Sequence, residues 1–98
     1  MTSKVFYCSK QRAWHHAQEV LRELKLNDAT LNSSGNSILA ERGWVFFSPP
    51  TEVEVTFYAE EKRVEVAVNA ESKVKMFDFG RSEYLEEEIL YRIKERIR

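Results

Sequence analysis

The sequence predicts an α+β fold, in which a single antiparallel sheet has two helices packed on one face. Segments 52–58 and 63–69 alternate apolar and polar residues strictly, which is typical of half-buried antiparallel strands. Segments 10–25 and 83–96 repeat apolar residues with the helical period, which predicts two amphipathic helices. Each helix must cover an apolar surface, and a sheet with one apolar face provides it.

The size and charge of the chain limit its possible functions. Its 98 residues and 11.6 kDa predict one domain over residues 1–98. Its 43% hydrophobic residues suffice for one two-layer core. Fifteen basic and sixteen acidic side chains leave a net charge of −1, so no bulk charge attracts nucleic acid or an anionic membrane.

The first half of the chain predicts a strand, a helix and two short strands. The run Lys4–Cys8 favours a strand, and Ser9 stands where a helix N-cap is expected. The helix then continues to about Lys25 and ends at Asn27-Asp28. Two short strands follow around a turn at 33–36, where serine, glycine and asparagine cluster.

The second half predicts a hairpin, one more strand and the last helix. The hairpin buries its valines on one face, and a further strand is expected over Lys73–Phe79. Gly80 permits a turn there, and Ser82 is expected to cap the C-terminal helix. The predicted order is β-α-β-β-β-β-β-α. The polar face of the hairpin is expected to carry Glu52, Glu54, Thr56, Tyr58, Arg63, Glu65 and Asn69.

No residue pattern predicts catalysis, a cofactor or a metal site, so we expect a protein that is not an enzyme. His15 and His16 are adjacent on a helix and project about 100° apart, so they cannot face one metal ion together. Cys8 directly precedes a helix, where the dipole would favour a nucleophile with His15 or His16 as its base, but it alternates with Phe6 in a strand-like run and is expected to pack against the core. The consecutive carboxylates at 86–88 are expected to be solvated.

Four aromatic residues are the candidate contacts for a partner or ligand. Trp44, Phe46 and Phe47 precede two prolines, and such a cluster is more than a loop needs. Tyr58 is the aromatic residue on the polar face of the hairpin. The alternative for 44–47 is an edge strand whose side chains close one end of the core.

The segment Phe77-Asp78-Phe79-Gly80-Arg81, after two alternating strands and before a helix, resembles a group of short uncharacterised bacterial domains. The likeness covers about residues 52–93 and implies the fold without an activity. The order of helix, three strands and helix is also similar to double-stranded-RNA-binding domains. Those domains have a basic cluster at the start of the last helix, whereas residues 83–88 are acidic here, so RNA binding is set aside.

These observations favour a non-enzymatic binding or regulatory module that acts through protein–protein contacts. The alternative is a small carrier that holds an apolar ligand between the sheet and the C-terminal helix, as in helix-grip proteins. A homodimer is compatible with the uncovered sheet face and edges. The single cysteine and the lack of an apolar leader predict a cytoplasmic protein, with neither nucleic acid nor membrane as partner.

Overall fold

Five strands and two helices form the part of the protein that the computed structural model describes, residues 1–31, 36–43, 50–72 and 81–97. They are β1 (Thr2–Phe6), α1 (Lys10–Glu23), β2 (Asn27–Leu31), β3 (Ser37–Arg42), β4 (Thr51–Ala59), β5 (Val64–Ser72) and α2 (Arg81–Ile97). The strands form one antiparallel sheet in the order β1-β5-β4-β3-β2, which confirms the predicted α+β fold. The strand predicted over 73–79 lies outside the described residues. Neither helix is long and apolar enough within its described residues to cross a membrane.

The hairpin of β4 and β5 is the centre of the sheet. Its register runs without a shift from Thr51 opposite Ser72 to Ala59 opposite Val64. Directly opposed residues of antiparallel strands point to the same side of a sheet, so the apolar residues of both strands share one face. We call this side the core face.

Both helices cover the core face. The helix α1 packs on β4, where the rings of Trp14 and Phe57 lie 4.9 Å apart, and α2 packs mainly on β5 and on α1. Ile89 and Ile93 of α2 are fully buried. Complete burial of such a side chain contributes about 1.5–3 kcal/mol, so this layer is the main source of stability.

The helix ends differ slightly from the prediction. The N–H of Arg12 donates to Ser9 Oγ at 3.2 Å, which confirms the N-cap. The helix α1 ends at Glu23, because Lys25 adopts a left-handed backbone (φ 65°) that turns the chain into β2. The helix α2 begins at Arg81, so Ser82 lies within its first turn and not at the N-cap.

Ion pairs join the two helices along their exposed sides. Arg92 Nη1 lies 3.3 Å from Glu23 of α1, and its Nε donates to Glu88 at 2.8 Å. Arg96 also contacts Glu23. These side chains are roughly one-third exposed, so each pair contributes at most about 1 kcal/mol, and the two pairs with Glu23 serve mainly to orient the helices.

Candidate functional site

The second face of the sheet, which we call the outer face, lies opposite the side on which the two described helices pack. Its members follow from the register of the strand pairs. On β1, β3, β4 and β5 they are Ser3, Val5, Ser37, Leu39, Glu41, Glu52, Glu54, Thr56, Tyr58, Glu65, Ala67, Asn69 and Glu71. The predicted polar face of the hairpin is therefore confirmed, with one exception. Arg63 lies in the hairpin loop, where its Nε donates to Glu60 at 2.6 Å.

One end of the outer face is aromatic and exposed. Tyr58 stands opposite Glu65, which in turn stands opposite Val5 on the edge strand. The side chain of Tyr58 is 53% exposed, and Tyr7, just after β1, is 79% exposed. Exposed tyrosines offer large contact area with little loss of side-chain entropy, which suits them to protein interfaces.

Tyr58 is the one predicted contact residue that the structure describes. Trp44, Phe46 and Phe47 lie outside the described residues. The exposed neighbours Val5 and Tyr7 were missed, although both lie in the run 4–8 that was predicted as a strand; β1 occupies Thr2–Phe6. The alternation of these residues around the buried Phe6 is the signal that would have found them.

The other end of the outer face is acidic. Glu41, Glu52 and Glu71 stand in one row across β3, β4 and β5, with Glu52 directly opposite both others. With Glu54 and Glu65 the face carries five glutamates, and it has neither lysine nor arginine among the described strand residues. Like charges directly opposed on neighbouring strands are destabilising. The chain as a whole has a net charge of −1, so this face concentrates negative charge.

Glu86 was expected to be solvated, and this prediction was wrong. The residue is only 3% exposed, and its carboxylate accepts hydrogen bonds from Ala70 N–H at 2.8 Å and from Thr2 Oγ1 at 2.7 Å. The amino group of Met1 lies 3.5 Å away. The helical spacing from Glu86 to the buried Leu90 and Ile93 is the signal for its burial. The carboxylate therefore ties α2 to β1 and β5.

A cavity of about 540 Å³ opens beside Glu86. It is lined by Met1, Thr2, Asn69, Ala70, Glu71, Ser82, Glu83 and Glu86. Both oxygens of the Glu86 carboxylate already accept hydrogen bonds from the protein. This arrangement suits a structural anchor better than a catalytic acid or base, which must exchange protons with a substrate.

The histidines and the cysteine do not form a reactive group in the described structure. His16 Nδ1 lies 3.1 Å and His15 Nε2 lies 3.6 Å from Glu19 Oε1. No set of three histidine, cysteine or acidic side chains within the described ranges is arranged to hold a metal ion. Burial raises the pKa of the Cys8 thiol, although the nearby Arg12 charge opposes this shift. Cys8 is thus less nucleophilic near neutral pH than a free thiol.

The chain matches no protein-family model and no curated protein. The resemblance to short bacterial domains accordingly stays a prediction.

Proposed function

We propose that this protein is a non-enzymatic binding module whose outer face binds a basic surface of another protein. The observation that carries the proposal is the charge of this face, which has five glutamates and no basic residue among its described strand positions. An exposed tyrosine stands at one end of the same face.

The row of Glu41, Glu52 and Glu71 favours a partner protein with a basic surface. Glu52 faces Glu41 and Glu71 across two neighbouring strands, and carboxylates that are directly opposed repel one another. A partner with lysine or arginine side chains at this row would relieve the repulsion. Complementary charge also accelerates association and excludes acidic competitors.

The exposed aromatic residues at one end of the outer face are expected to supply much of the affinity for the partner protein. A few tyrosine, tryptophan or arginine side chains supply most of the binding energy in typical interfaces. Tyr58, with Val5 and Tyr7 near it, provides such a contact, and the glutamates then set the orientation of the partner.

The dimensions of the outer face fit a protein interface. The strand β4 has nine residues, so at about 3.3 Å each the face is roughly 30 Å long. Five strands at about 4.8 Å make it roughly 24 Å wide. Because the other strands except β5 have only five or six residues, the area is about 540 Å², which is in the range that each partner buries in a small, transient complex.

A second copy of the chain is a poor occupant of this face. A twofold dimer joins the same patch of both subunits, so two faces that each carry five glutamates and no basic residue at their described strand positions would meet. Nor does any described feature favour the carrier of an apolar ligand. The contact between the sheet and α2 is filled by fully buried Val66, Val68, Ile89 and Ile93.

Capture of a partner by matched variants tests the proposal. The outer-face variant Glu52→Gln/Glu54→Gln/Glu71→Gln and a control of equal charge, Glu61→Gln/Glu83→Gln/Glu87→Gln, are immobilised beside the wild-type protein. The control residues are exposed and lie on the hairpin loop and on α2. We expect wild type and control to retain the same basic protein from a cell extract, and the outer-face variant to lose it.

Two further measurements sharpen the result. Binding of the purified partner is expected to weaken as salt rises, and Tyr58→Ala is expected to weaken it by about 2 kcal/mol, as for a hot-spot residue. Circular dichroism of each variant confirms folding. Equal retention by the outer-face variant and the control, or retention of an acidic partner, would contradict the proposal.

A further inference from the structure

The helix α2 exposes two tyrosines on the side that faces away from the sheet. Tyr84 is 69% and Tyr91 is 60% exposed, and they stand seven residues apart. Residues with this spacing differ by only about 20° in direction around a helix, so the two side chains form one stripe, which we call the tyrosine stripe. No large hydrophobic side chain of α1 is comparably exposed, so the stripe is particular to α2.

One flank of the tyrosine stripe carries two opposite charges that have no partner within the described structure. Glu87 and Lys94 are also seven residues apart, and both lie on the same side of Tyr91 around the helix. Both are exposed, and neither makes an ion pair or a side-chain hydrogen bond with any described residue. By contrast, Arg92 of the same helix contacts Glu23 of α1. The charges of this flank are therefore available to another molecule.

This flank is complementary to itself when two copies of α2 run antiparallel. A twofold dimer joins the same patch of both copies, and an axis perpendicular to the helices keeps each flank on its own side of the contact. The midpoint between Glu87 and Lys94 lies at residues 90–91. An axis beside Tyr91 therefore brings Glu87 of each copy next to Lys94 of the other, and it brings the two Tyr91 rings together. In a parallel pair each charge would meet its own kind, which favours the antiparallel arrangement.

The other flank of the tyrosine stripe contributes less to the choice of partner. It carries Glu88 and Glu95. Glu88 already pairs with Arg92 at 2.8 Å, and Glu95 also has an interaction within the chain. The unpaired charges of Glu87 and Lys94 are therefore the ones that select the contact.

We infer that the tyrosine stripe of α2 joins two copies of this chain in a weak antiparallel dimer. The helix has 17 residues and is about 25 Å long, so the contact is smaller than a standard protein interface. The dimer is thus expected to form only at high concentration. Dilute protein is expected to be monomeric, so Glu87→Gln stays a valid control when capture and unfolding are measured.

The dimer contact is separate from the outer face. The helix α2 packs mainly on β5 and on α1, on the opposite side of the sheet. The tyrosine stripe and the five glutamates of the outer face therefore lie on opposite sides of the molecule. The success or failure of the dimer is independent of the proposed protein partner.

Charge reversals at Glu87 and Lys94 test the dimer by sedimentation equilibrium from micromolar to millimolar concentration. We expect the mean mass of the wild type to rise from 11.6 kDa toward twice this value. Glu87→Lys and Lys94→Glu each place like charges at both contacts and are expected to weaken association by at least about tenfold. An equimolar mixture of the two variants restores both opposite-charge contacts and is expected to dimerise. Glu61→Lys, in the hairpin loop, is the control and is expected to dimerise as the wild type does.

Three results would overturn the inference. One is a wild-type mass that stays at 11.6 kDa up to millimolar concentration. Another is equal association of the wild type and both single variants, which would assign the dimer to a different surface. The third is a mixture that associates no more than its components, although circular dichroism shows that both variants are folded. If either variant does not fold, Tyr91→Ser replaces it, and unchanged association of that variant would likewise contradict the dimer.

Discussion

The surroundings of Cys8 set the chemistry of its side chain. The thiol is half-buried against the core, and burial raises its pKa above that of a free thiol. Its proton is thus bound more tightly in the folded protein than in the unfolded chain. The resulting stabilisation is complete below the ordinary thiol pKa and is lost as the pH rises through the raised one.

The raised pKa predicts slow chemistry at Cys8. We expect the folded protein to react with a disulfide reagent at pH 7 more slowly than a free thiol does, and to accelerate as the pH rises. The rate is measured from the released chromophore. Protein unfolded in guanidinium is the control and should react as a free thiol. A folded protein that reacts faster than this control would instead indicate an activated nucleophile.

One polar side chain, that of Glu86, fixes the position of the helix α2 on the sheet. Its apolar stripe packs on β5, but apolar contact alone leaves freedom to slide along the sheet. Glu86 restricts this freedom, because its carboxylate accepts from Ala70 N–H on β5 and from Thr2 Oγ1 on β1. An edge strand, a central strand and a helix therefore meet at one side chain.

This anchor predicts a clear loss of stability for Glu86→Gln. The amide replaces one acceptor oxygen by a donor where the protein supplies donors, so we expect the free energy of unfolding to fall by about 1–3 kcal/mol. Urea denaturation measures the change. Glu87→Gln, on the exposed side of the same helix, is the control and should change stability by less than about 0.5 kcal/mol. Equal changes in the free energy of unfolding for the two substitutions would mean that Glu86 does not anchor α2 to the sheet.

At the scale of the whole molecule, the charges are unevenly distributed. Several basic side chains of the helices pair with acids, as Arg92 and Arg96 do with Glu23. The outer face places Glu52 directly between Glu41 and Glu71. Directly opposed like charges repel one another across a sheet.

The acidic row predicts that Glu52→Gln stabilises the free protein. Removing the central charge relieves repulsion with both neighbours, so we expect a gain of about 0.2–1 kcal/mol at low salt. Urea denaturation should show the gain shrinking at high salt, where the repulsion is screened. Glu54→Gln, opposite Asn69 and Leu39, is the matched control and should gain less. A loss of stability in Glu52→Gln would mean that its charge is already compensated.

Much of the fold follows from local patterns. The alternation in 52–58 and 63–69 predicted the hairpin and its buried face, because a strand exposes successive residues to opposite sides. The apolar stripes predicted both helices, and Ser9 predicted the start of α1. Tyr58 was assigned to the polar face by the same alternation.

The class of the fold, its two helices, its central hairpin and the polar character of one sheet face could be predicted from the amino-acid sequence, since each depends on residues close in the chain. The pairing of β1 with β5, the burial of Glu86 and the single row of glutamates on β3, β4 and β5 became visible only in the folded chain. These features depend on which strands become neighbours and in which register. The physical reason is that local periodicity assigns a residue to a face but cannot specify its partner across the sheet.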